Sequence, residues 1–260
     1  MRARSNILAG RLSQAPAWLA AGVAMAVLAA CATNPVTGRS QLLLVDESQL
    51  TQASALAWQE VKQQTPTLND AAAQARVRRV GLNIGRAAGQ DTSGWEFVVF
   101  DSPERNAFVL PGGRVGVYRG LLELAQNDDQ LATVIGHEVA HVTARHSAER
   151  ASQSALTQVG LTAGQALGGS QNGRLLGAAL GLGAQYGVLL PYSRLQESEA
   201  DRIGLDYMAK AGYNPRQSVT FWERMRDAAG GGRTPQFLST HPDPDNRIRA
   251  LQEQIARQGY

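Results

Sequence analysis

One cysteine, four histidines and an aromatic content of 6% in 260 residues leave few side chains for specialised chemistry. The lone Cys31 excludes an intramolecular disulfide, so the fold must stand on its apolar core or on a bound metal. Residues 152–190 are rich in Gly, Ala and Leu, but their longest apolar run, 175–184, is shorter than the roughly 20 residues a bilayer span needs. No repeat of solenoid length is present. An excess of one charge is missing too. Three of the 25 basic residues, Arg2, Arg4 and Arg11, lie in the first 30 positions, and the rest of the chain carries 22 basic against 22 acidic side chains. Such a balance holds no phosphate backbone, so nucleic acid is not an expected partner. What remains is a chain that is 43% hydrophobic, enough to bury the core of one or two globular domains.

The three early arginines precede a small, apolar stretch over 15–30 that closes as Leu28-Ala29-Ala30-Cys31. Positive start, apolar run and tiny residues at the end form a secretory signal pattern. The sole cysteine at its close resembles the bacterial lipobox. That resemblance implies a lipoprotein signal peptide over 1–30, cleavage before Cys31, and lipid on the Cys31 sulfur. Each buried methylene adds about 0.8 kcal/mol, so more than one acyl chain gives lasting membrane attachment. Ala32 is not the Asp that by analogy retains a lipoprotein at the inner membrane, so the expected residence is the periplasmic face of the outer membrane. Residues 31–45, with the turn-rich Asn34-Pro35-Val36-Thr37-Gly38, read as the lipidated tether.

Apolar residues at helical spacing predict two helices over 48–88. The period then changes. Residues 95–100, 107–110 and 114–118 are β-rich runs separated by turn signals and predict a small sheet, with 114–118 expected at its edge. Asn127 offers an N-cap for a helix over about 130–150. Residues 152–190 read as a helical hairpin or lid. Further helices are expected over 194–211, up to about 229 after the Gly212–Pro215 turn, and over 245–257. The expected fold class is α+β: mostly helical, with a small sheet beside the helix that holds the chemistry, and residues 46–260 forming one domain.

That chemistry is His137-Glu138-Val139-Ala140-His141, an HExxH motif inside a helix. Four residues on a 3.6-residue turn rotate by only about 40°, so both imidazoles leave one face and can reach one metal ion. Glu138, beside the first ligand, is placed to take a proton from the attacking water. Zinc suits two imidazoles and a carboxylate, one ion per chain, and catalysis needs a third protein ligand. His146 lies nine residues past His137, about 180° around a continuous helix, and reads as a capping or packing residue. The carboxylate-dense stretch 194–202 offers Glu197 and Asp201, which share a face. One could ligate while the other fixes a ligand imidazole, although a merely solvated charged face fits the same residues. Glu199 points about 160° from Asp201 and reads as solvent-facing.

HEVAH, the SRLQESEADRIG segment, NAFVLPGGRVGVYRGLL before the motif and NPVTGRSQL near the mature start together resemble the gluzincin metallopeptidases of the HtpX and CAAX prenyl endopeptidase type, in their soluble bacterial lipoprotein branch. The resemblance covers most of the chain beyond the signal. It implies that Glu197 is the third zinc ligand, with Asp201 supporting a ligand imidazole. It also implies that His241, in Ser239-Thr240-His241-Pro242, lies beside the metal with Arg247 nearby. There His241 would either stabilise the oxyanion or occupy the open position at rest. Glu138, His241 and Arg247 are then the candidate catalytic residues. Gly113, Arg114, Val115, Gly116 and Val117 are expected to pair with an extended substrate as an added strand, a mode that favours backbone over side chains. The expected activity is a zinc metalloendopeptidase acting on unfolded or misassembled envelope proteins. Two readings compete with it: an outer-membrane assembly chaperone or scaffold whose zinc site is latent or structural, and a zinc hydrolase acting on an amide that is not a protein.

Overall fold

The computed structural model describes residues 31–166, 192–229 and 235–260. The chain opens with a two-stranded antiparallel hairpin, β1 (Cys31–Thr33) and β2 (Ser40–Leu42). The segment expected as a tether is therefore paired structure, with Asn34 closing the turn through backbone bonds from and to its neighbours. Helix α1 (Glu47–Gln64) starts at Asp46, whose side chain accepts from the Ser48 N–H, and α2 (Ala71–Ala87) starts at Asp70 in the same way.

Strands β3 (Glu96–Phe100), β4 (Ala107–Leu110) and β5 (Arg114–Tyr118) form one sheet in the order β3-β5-β4, with β3 parallel and β4 antiparallel to β5. Side chains alternate across it as the pleat requires. Val99, Ala107, Val109, Val115 and Val117 enter the main core, whereas Phe100 and Leu110 pack with Trp58 of α1 on the other face. Gly116 makes that second face possible, since a Cβ there would lie 2.4 Å from the Phe108 ring.

The order corrects one expectation. β5 is central, paired on both sides, so the backbone of Arg114, Val115, Gly116 and Val117 is already committed, and Gly113 accepts from the Glu96 N–H. β3 and β4 are the two outer strands; Pro66–Leu68 and the Gln74 side chain bond to the outer backbone of β3, so among the described residues it is β4 whose outer edge has no chain paired to it.

After the short α3 (Arg119–Leu124), α4 (Asp128–Thr143) is capped by Asn127, which accepts from the Gln130 N–H. Every residue from Gln130 to His141 is buried. A helix buried all round is a core helix, and α4 is surrounded by the sheet, α2, α6 (Arg194–Lys210) and α7 (Gln217–Ala229). α6 begins with a capping box between Ser193 and Gln196. α4 and α6 cross backbone to backbone at Gly136 and Gly204, where a Cβ on Gly204 would lie 2.9 Å from the Gly136 carbonyl carbon and the His137 nitrogen.

α4 does not run on to residue 150. It breaks at Ala144 and Arg145, the latter at φ 56, and α5 (His146–Ala166) starts in a new direction. The remainder of the expected hairpin or lid over 152–190 lies outside the described residues beyond 166. α8 (Gln236–Thr240) and α9 (Pro244–Gln258) complete the fold, α9 with Pro244 in its first turn and Gly259 at its left-handed C-cap. No helix among the described residues is long and apolar enough to cross a membrane.

Candidate metal centre

The close crossing of α4 and α6 sets HExxH against the acidic face of α6. His137, His141, Glu197 and His241 converge, each buried, with one ligating atom apiece, all within 4.8 Å of one another. The two Nε2 atoms of His137 and His141 are 3.0 Å apart. Glu197 Oε1 stands 3.4 Å from His141 Nε2, and its Oε2 stands 3.5 Å from His137 Nε2. His241 arrives from the end of α8, its Nδ1 2.9 Å from Glu197 Oε1 and 3.1 Å from His137 Nε2. Its Nε2 faces Glu138 Oε1 at 3.3 Å.

Each motif imidazole is held from behind. His137 Nδ1 lies 3.0 Å from Asp201 Oδ1, so the proton belongs on Nδ1 and the Nε2 lone pair is turned to the cluster. His141 Nδ1 lies 2.9 Å from Nδ1 of His146, whose Nε2 is 3.0 Å from Glu199 Oε2. His146 does leave the old helical path, yet it turns to the back of His141 rather than to the metal. Glu199 is buried, not solvated, because its face of α6 is covered by the N-terminal hairpin: Arg39 Nε donates to Glu199 Oε1 at 2.9 Å. These two side chains are the functional neighbours that residue spacing missed. The five-residue interval from His141 to His146 was the only local sign, and it has meaning only once α4 breaks.

Arg247, from α9, donates through Nε to Asp201 Oδ2 at 2.7 Å and places Nη1 2.8 Å from Glu197 Oε2. Its guanidinium lies 3.6 Å over the Trp222 ring, a stacked position open to Arg. The Tyr192 ring stacks on His141 at 3.6 Å.

Burial pulls the His137 imidazole down to about 4, with the Arg247 charge adding, and burial holds His141 well below its ordinary value. Both are neutral at pH 7, the state a ligand needs. Burial opposes ionisation of Glu197, but His241 and Arg247 outweigh it and hold the carboxyl well below its usual range. Burial pushes Glu138 up to about 7 against the pull of His241 and Arg247. The Val109 backbone of β4 hydrogen-bonds this group, which places the outer edge of the sheet beside it.

The donor set fits zinc. With the protons held on Nδ1 by Asp201 and His146, the two Nε2 lone pairs would face each other at 3.0 Å, an arrangement that a cation between them satisfies. Glu197 Oε2 and Glu138 Oε1 are buried with charged or polar neighbours, Arg247 Nη1 at 2.8 Å and His241 Nε2 at 3.3 Å, but neither contact has hydrogen-bond geometry. Nitrogen and carboxylate ligands in a compact set are what zinc takes.

A model of peptidase family M48 matches residues 71–255, a span that contains every one of these ligands. The chain belongs to peptidase family M48. That family uses zinc, and the buried cluster here could hold one ion. The mitochondrial metalloendopeptidase OMA1 of Schizosaccharomyces pombe is 43% identical over 180 residues, covering 68% of this chain and 51% of the relative. Human OMA1 is 36% identical over 239 residues, covering 85% of this chain and 45% of the relative. The β-barrel assembly-enhancing protease of Escherichia coli K12 is 30% identical over 196 residues, covering 73% and 40%. The chain thus spans about half the length of the curated relatives it matches, or less. The motifs suggest the HtpX and CAAX prenyl endopeptidase type; these relatives correct that to M48 as a family, through OMA1 and the assembly-enhancing protease rather than that type.

Proposed function

We propose that this chain is a zinc metalloendopeptidase that cleaves unfolded or misassembled proteins of the cell envelope, attached through a lipid on Cys31 to the periplasmic face of the outer membrane. The observation that carries the reading is Glu138: a buried carboxyl group raised by burial, its Oε1 facing His241 Nε2 at 3.3 Å, beside three or four metal-ligating atoms and next to an outer strand. The relatives' names support the rest. Several are metalloendopeptidases, and one enhances β-barrel assembly.

Zinc, when bound by His137, His141 and Glu197, supplies Lewis acidity, which polarises a carbonyl and makes water a stronger acid. The residues do the remainder. Glu138 accepts the proton of the attacking water and delivers it to the leaving amine, a role suited to a group titrating near the working pH. Asp201 and His146 keep the ligand imidazoles in the tautomer that presents Nε2. Arg247 balances the charges of Glu197 and Asp201, so neither carboxylate draws a proton when the site is dry. A substrate backbone lies along the outer edge of β4, over Ala107–Leu110, rather than along Gly113–Val117 as the sequence suggested. Main-chain pairing there selects extended, unfolded chain over any one side chain.

His241 has its Nδ1 inside the ligand set, which favours a resting form in which this imidazole takes the fourth ligand position and must leave before substrate is cleaved. The same four-ligand closure is what a scaffold with a structural site would show. Cleavage of reduced casein by the zinc-loaded chain lacking residues 1–30 and carrying Cys31→Ser separates the readings. The endopeptidase reading expects slow cleavage, loss of it in Glu138→Gln with zinc still bound, and faster cleavage in His241→Ala. Zinc binding with no cleavage by the parent or by His241→Ala would leave the scaffold and end the peptidase proposal.

A further inference from the structure

The break that ends α4 leaves the Ala144 carbonyl with no helical partner, and two amides of the N-terminal hairpin take it: Asn34 Nδ2 at 3.0 Å and Gln41 Nε2 at 2.7 Å. The same hairpin inserts Arg39 between two carboxylates. Its Nη1 and Nη2 each lie 2.7 Å from an oxygen of Glu149 on α5, while Nε and Nη2 reach Glu199 on α6 at 2.9 and 3.1 Å. Glu149 is further tied to Gln41 and Gln196. Three separate elements, the hairpin, α5 and α6, therefore meet at one guanidinium.

The far side of Glu199 is His146, and the far side of His146 is His141. Proton bookkeeping along this line has one solution. A ligand imidazole that offers Nε2 to a metal must carry its proton on Nδ1; that proton is donated to Nδ1 of His146, which then holds its own proton on Nε2 and donates it to Glu199. Glu199 must be an acceptor at a fixed place, and Arg39 both keeps it ionised and fixes it by its planar fork. His137 is oriented by one carboxylate on a neighbouring helix; His141 reaches its carboxylate through an intervening imidazole and depends on a residue 160 positions before Glu199 in the chain.

We propose that Arg39 is a positioning residue of the metal centre, acting through Glu199 and His146 on His141, so that docking of the 31–42 hairpin is part of forming the zinc site. The inference rests on the metal-site reading above. Its consequence is that the segment next to the Cys31 attachment point and the ligand set are energetically one unit: zinc favours the docked hairpin, and a displaced hairpin releases zinc.

The test is zinc affinity of the full chain in detergent, by competition with a chromophoric chelator, together with the visible d–d spectrum of the cobalt form. Arg39→Ala and Glu199→Gln should each weaken zinc binding about tenfold and shift the cobalt bands, the lower end of what supporting partners of metal ligands contribute. Arg39→Lys, which keeps the charge without the fork, should recover part of the loss. Val77→Ala, a core cavity outside the Arg39–Glu199–His146 line, should lower the melting temperature of the metal-free protein and leave affinity and spectrum alone. Should Arg39→Ala fail to fold, Glu199→Gln and Arg39→Lys decide in its place. Affinities within twofold of the parent and an unchanged cobalt spectrum would overturn the inference while leaving the metal site intact. A parent chain that binds no zinc would overturn the site and the inference together.

Discussion

Replacing Gly204 by alanine adds one methyl group where two backbones touch. Its Cβ would lie 2.9 Å from the Gly136 carbonyl carbon, 2.9 Å from the His137 nitrogen and 3.1 Å from the Gly136 oxygen. All three are main-chain atoms, so no side chain can swing aside. Ordinary contact begins near 3.4 Å, and α4 and α6 must separate by about 0.5 Å, which is the tolerance of a preorganised site. α4 carries His137 and His141, and α6 carries Glu197 and Asp201, so the whole displacement falls between the ligand pairs now 3.4 and 3.5 Å apart. Overpacking of this kind costs about 1–3 kcal/mol. For a chain of this size that is a fall of roughly 2–12 °C in the melting temperature. We expect Gly204→Ala to melt earlier by circular dichroism and to bind zinc at least tenfold more weakly, about 1.4 kcal/mol. Gly94→Ala, where an added Cβ meets nothing within 4 Å, should change neither. Zinc affinity in Gly204→Ala equal to the parent's would refute the claim that the helix crossing sets the ligand geometry.

Three further outcomes follow from the same contacts. Arg247→Ala leaves Glu197 and Asp201 buried without their cation and should destabilise the metal-free protein by about 3–5 kcal/mol in denaturant titrations, with much of the loss recovered on adding zinc. His137 has a folded-state value of about 4, below its unfolded 6.5, so its contribution is present above 6.5 and is lost as pH falls toward 4. The metal-free protein should therefore melt progressively earlier between those values, and His137→Gln should flatten that slope. Chelation by excess dipicolinate should lower the melting temperature of the loaded protein, because a ligand held only by the folded state stabilises it by mass action; equal melting with and without zinc would show that the cluster binds none.

HExxH was legible because a chelate four residues apart is a local property of a helix, and the strands and caps were legible because alternation and Asn127 are local too. Glu197 and Asp201 were visible as a shared face, but that this face meets α4 depends on a pair of glycines 68 positions apart. The order of strands is not local at all, which is why β5 was read as an edge when it is the centre. His146 was placed by extending a helix that Arg145 ends with a positive φ. Glu199 was assigned to solvent because its own helix gave no reason otherwise; the reason is Arg39, on a hairpin far away in the chain. Helical spacing tells which residues share a face, and only the tertiary arrangement tells what covers that face.

All four histidines of the chain stand in this one cluster, His137, His141 and His241 at the ligand set and His146 directly behind it. The imidazole region of a magnetic-resonance spectrum of the untagged protein therefore has no background. Every ring signal is a report on the metal centre, and an event elsewhere in the molecule becomes visible there only if it reaches the site.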